Sequence, residues 1–73
     1  MKHLYLEKLK RMSAEELLKE CEVQGKVMEN NHPMTKEEKA RAYMCFKFAH
    51  ARGNLSQEDK DMLALAIRVL RLL

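Results

Sequence analysis

Seventy-three residues allow one domain of a size at which a single core is marginal, and 47% hydrophobic with 34% charged residues excludes a disordered tail. Two cysteines without CxxC spacing exclude a disulfide scaffold, and no apolar run reaches the roughly 18 residues of a spanning helix. The net charge of +3 and the amphipathic start Met1-Lys2-His3, unlike a signal peptide, fit a cytoplasmic protein with reduced thiols.

The capping chemistry divides the chain. Ser13-Ala14-Glu15-Glu16 and Thr35-Lys36-Glu37-Glu38 both read as capping boxes, and Ser56-Gln57-Glu58-Asp59 is a third with a shorter acid. Asn30-Asn31-His32-Pro33 and Gly53 supply stops, because a residue before proline leaves the helical region and glycine suits the position after a helix end. Helices are expected near 3–11, 14–29, 36–52 and 57–72. The expected fold is all-α, a single domain over 1–73 made of three to four helices. It comprises a short N-terminal helix in 1–12, a second helix and loop in 13–33, and an antiparallel helical hairpin in 34–73.

The first segment has Leu4, Tyr5, Leu6 and Leu9 as its large apolar anchors, and Lys2, Lys8, Lys10 and Arg11 against Glu7 make it net +3. The second is net −3 through Glu15, Glu16, Glu20, Glu22 and Glu29, with Leu17, Leu18, Cys21 and Met28 on one side and Gly25 as a weak point. Opposite charge on successive helices suits antiparallel packing, although an exposed ion pair contributes only about 0–1 kcal/mol. The third helix is apolar on two sides. Ala40, Met44, Phe48 and Ala51 form one stripe, while Ala42, Tyr43, Phe46 and Ala49 cover much of the other.

The fourth segment is the densest, with ten apolar side chains among the last twelve residues, interrupted by Arg68 and Arg71. At about 100° per residue these spread over more than half the circumference, wider than the stripe a surface helix of a monomer needs. So few residues offer little to cover it. The excess predicts association, most simply as a two-fold homodimer through the C-terminal helix and the second apolar side of helix three.

Chemistry is poorly represented. His3, His32 and His50 are scattered, no nucleophile, histidine and acid come together in sequence, and no glycine-rich phosphate loop is present. Paired glutamates at 15–16 and 37–38 are explained by helix starts, where negative charge meets the positive end of the macrodipole. Cys45 and His50 lie about 140° apart on a helix, unlike an i, i+4 ligand pair. No catalytic residue, metal site or cofactor is expected, and each cysteine reads as buried packing.

The reading for function is therefore a non-enzymatic regulator, adaptor or inhibitor that binds a protein partner through apolar helical surface. Tyr43, Phe46, Leu65, Val69 and Leu72 are the expected contact face. The alternative is a nucleic-acid-binding protein using Lys39, Arg41, Lys47 and Arg52 interleaved with aromatics on helix three. Ala49-His50-Ala51-Arg52-Gly53 resembles the first half of a helix-turn-helix. The second half departs from it, with one extra turn residue and Glu58, Asp59 and Asp61 where phosphates would lie.

Overall fold

Four helices, three of them starting at the expected caps, make up the computed structural model, which describes residues 2–30, 33–52 and 55–72. They are α1 (Lys2–Arg11), α2 (Ala14–Asn30), α3 (Lys36–Ala51) and α4 (Gln57–Leu72). At the start of α2 the Ser13 hydroxyl accepts from the Glu16 amide at 3.2 Å and the Glu16 carboxylate accepts from the Ser13 amide at 3.0 Å. That backbone hydrogen bond holds the Glu16 carboxyl below its ordinary value. Thr35 and Glu38 repeat the reciprocal pair at 3.1 and 2.8 Å. Ser56 makes the single cap bond, accepting from Asp59 at 3.2 Å. The expected stop residues Asn31, His32 and Gly53 lie outside the described residues.

The middle of the domain is α3. Its Ala42, Cys45, Phe46 and Ala49 are buried, and α1, α2 and α4 each pack on it, whereas α2 and α4 touch each other little. Leu17 and Cys21 of α2, Leu63 and Leu70 of α4, and Leu9 of α1 complete the core. Alanines at 42 and 49 let neighbouring backbones approach closely, and helices three and four form the expected hairpin.

One expectation changes. The second apolar side of helix three does not wait for another chain, because its Ala42, Phe46 and Ala49 are already buried in the core, and the first stripe, with Ala40, Met44 and Phe48, meets α1 beside Leu6. Leu9 is fully buried, Tyr5 and Met12 pack against the core, and Tyr43, Met44 and Phe48 are half-buried. The Arg52 guanidinium ties this arrangement together by donating to the Met12 carbonyl just beyond the end of α1. Ten residues of α1 thus account for a surface that the bare pattern of α3 leaves open. Among the described residues no helix is long and apolar enough to cross a membrane.

Candidate protein-binding groove

Because α2 and α4 both lie on α3 without closing on each other, a groove of about 580 Å³ runs between them. Leu18, Cys21, Gly25 and Met28 form one wall, Met62, Leu65, Ala66 and Val69 the other, with Phe46 and Leu63 at the base. Gly25 widens the channel, since a Cβ built there would meet nothing within 4 Å. Glu22, Lys26, Glu29 and Asp59 are the charged residues of the rim. The volume lies within the range of ligand pockets, but the shape is an open trough whose polar groups do not converge on a point.

Along the outer edge of the groove, α4 carries an unpartnered seam. Met62, Leu65, Val69 and Leu72 are 66, 58, 38 and 83% exposed. Their spacing of three, four and three residues is that of a and d positions in a coiled coil. Leu63 and Leu70, by contrast, are buried toward α3, so one helix is apolar on an inner and an outer side. Arg68 is exposed beside the seam. Arg71 turns away from it, donating to the Tyr43 hydroxyl at 3.2 Å with its guanidinium 5.8 Å from the ring centre.

The five expected contact residues do not share one face. Leu65 and Val69 line the groove and Leu72 continues the seam. Phe46 is buried beneath the groove as its floor. Tyr43 sits elsewhere, beside Leu6, Met44 and Lys47 in a shallow depression between α1 and α3. The bond from Arg71 lowers the Tyr43 hydroxyl pKa. Leu18, Gly25 and Met28 were not foreseen as site residues. The signal available for them was Gly25 itself, a glycine interrupting an otherwise helical pattern.

The basic residues of helix three are engaged within the fold. Arg41 lies 5.7 Å from the Tyr5 ring centre and Lys47 5.7 Å from that of Tyr43. Arg52 holds the Met12 carbonyl, and Lys39 is half-buried. Among the described residues no group of three His, Cys, Asp or Glu side chains is placed to hold a metal ion.

Beneath the groove lies a polar cluster of a different kind. The Cys21 and Cys45 sulfurs are 3.6 Å apart as free thiols. Nearby, the Tyr5 hydroxyl donates to Glu20 Oε2 at 2.6 Å, and Gln24 Nε2 donates to the same oxygen at 3.2 Å. Burial, reinforced by the Glu20 bond, pushes the Tyr5 hydroxyl pKa far upward. Compared with known protein families, curated proteins and solved structures, the chain has no match in any of the three.

Proposed function

We propose that the protein is a non-enzymatic interaction module, acting as a regulator, adaptor or inhibitor by holding an apolar helix of another polypeptide between α2 and α4, most simply in a homodimer. The observation that carries this reading is the seam of Met62, Leu65, Val69 and Leu72, left exposed beside an apolar groove. A helix laid there engages by i, i+3, i+4 and i+7 anchors, the recognition mode of amphipathic helices in grooves. Each large apolar side chain taken from water to a buried seat contributes roughly 1.5–3 kcal/mol, so a few offset the cost of association. The two ends of α4 carry opposite charge, with Glu58, Asp59 and Asp61 near its start and Arg68 and Arg71 near its end. That polarity favours an antiparallel mate.

Light scattering at two concentrations tests self-association, and capture on immobilised protein tests other partners. Leu65→Asp is expected to abolish both while leaving helicity intact, because Leu65 is mostly exposed in the isolated chain. Unchanged association in that variant overturns the reading. The nucleic-acid alternative draws less support, since Arg41, Lys47 and Arg52 already have intramolecular partners. Salt-sensitive shifts of DNA or RNA that vanish in a Lys39→Glu, Lys47→Glu double variant would favour it instead.

A further inference from the structure

We propose that Cys21 and Cys45 form a two-electron redox site, converted by a hydroperoxide into an intrachain disulfide that ties α2 to α3. This stands apart from the binding reading, because it rests on the thiol pair and holds whether or not the groove takes a partner. The sulfurs come from residues 24 positions apart, on two helices, yet are 3.6 Å from each other. A disulfide needs about 2.05 Å between sulfurs, a closure of roughly 1.5 Å that side-chain rotation with slight helix adjustment can supply.

The two thiols are not equivalent. Cys45 is 0% exposed beneath α2, while Cys21 is 8% exposed and lines the groove. A small oxidant therefore reaches Cys21 first. The same asymmetry appears in their acidity: the bond between them lowers the Cys21 pKa and, together with burial, raises that of Cys45. Of the two, the Cys21 sulfur, on the groove side, is the one more readily ionised to thiolate. A thiolate is the nucleophile toward peroxides.

The Cys21 thiolate, its proton lost to solvent, attacks one peroxide oxygen; the O–O bond breaks, giving a sulfenic acid on Cys21 and an alkoxide or hydroxide that takes up a proton. Cys45 then attacks the Cys21 sulfur, the S–O bond breaks, and the departing hydroxide leaves as water with the Cys45 proton. Two thiols and one hydroperoxide become one disulfide, one water and one alcohol, or two waters when the oxidant is hydrogen peroxide. Cys45 acts as the resolving thiol, and its nearness protects Cys21 from further oxidation. The product is a covalent link between a wall of the groove and the helix beneath it.

The full chain in native buffer is titrated with hydrogen peroxide, blocked with iodoacetamide and weighed intact. The expected result is a monomer lighter by two hydrogens that takes up no label, yields a Cys21–Cys45 cross-linked peptide on digestion, and recovers both thiols with dithiothreitol. Cys45→Ala should instead gain oxygen at Cys21, and Cys21→Ser should leave Cys45 slow to react, with circular dichroism confirming that both remain helical. The wild-type peptide map decides even if a variant unfolds. Oxygenated cysteine in the wild type, an interchain disulfide, or no reaction under peroxide that oxidises the same chain in denaturant overturns the proposal.

Discussion

Replacing Gly25 separates the stability of the fold from the occupancy of the groove. Gly25 lies inside α2, where a glycine costs about 0.8–1 kcal/mol relative to alanine through backbone entropy. A Cβ there meets nothing within 4 Å, so no steric term opposes the gain. Gly25→Ala is therefore expected to stabilise the domain by close to 1 kcal/mol, a rise in midpoint of about 4–8 °C at this chain length. Gly25→Trp keeps about half of the helical gain but projects an indole into a trough of about 580 Å³, taking the seat of the incoming side chain that the proposed function requires. Losing one large apolar anchor costs association about 1.5–3 kcal/mol, or roughly ten- to hundredfold in Kd.

Thermal unfolding followed by circular dichroism reads the first effect, and sedimentation or light scattering reads the second. Because association itself raises the midpoint, the melts are compared at two protein concentrations. A Gly25→Ala variant less stable than wild type would show that something occupies the space beside Gly25. A helical Gly25→Trp variant that associates as tightly as wild type would remove the groove from the interface.

Thr35→Ala, which removes one half of the reciprocal cap at the start of α3, should cost about 1 kcal/mol in urea unfolding; no change would mean that the cap bond merely replaces water. Leu9→Ala should cost about 2–5 kcal/mol, since Leu9 is fully buried where α1 meets the core, and should speed hydrogen exchange in α1 ahead of the other helices. Uniform exchange across all four helices would refute that docking. The two tyrosines should titrate in sequence by phenolate absorbance, Tyr43 below the ordinary value of 10 and Tyr5 above it. For Tyr5 the sign follows from its raised folded pKa: its contribution is intact below pH 10, where the unfolded chain also keeps the proton, and is lost as alkaline pH favours the ionised, unfolded form. Tyr5→Phe should flatten that alkaline decline, and an identical decline in the variant would place its cause in other groups.

Helix ends were legible because capping is local. Ser13 with Glu16, Thr35 with Glu38, and Ser56 with Asp59 are each settled within one turn, and α2, α3 and α4 begin one residue after their caps. The two-sided pattern of α3 was also legible, but what covers each side depends on where a ten-residue helix docks. Tyr5, Leu9 and Met12 put α1 there through contacts 15 to 40 residues away in sequence, including Tyr5 to Glu20 and Arg52 to Met12. The same limit hid the α2 wall of the groove and the meeting of Cys21 with Cys45, since each requires the register of one helix against another.

The apolar excess of the C-terminal segment therefore has two destinations. Leu63 and Leu70 are absorbed by the intramolecular core, together with the α3 surface that α1 covers. Met62, Leu65, Val69 and Leu72 are not. An a/d seam that faces water on a domain this small costs solubility and gives nothing to folding. The unburied part lies on the side of α4 that also opens on an apolar trough, so the surface left over after folding is a contiguous apolar strip; under the proposed function, substitutions there should change association before they change stability.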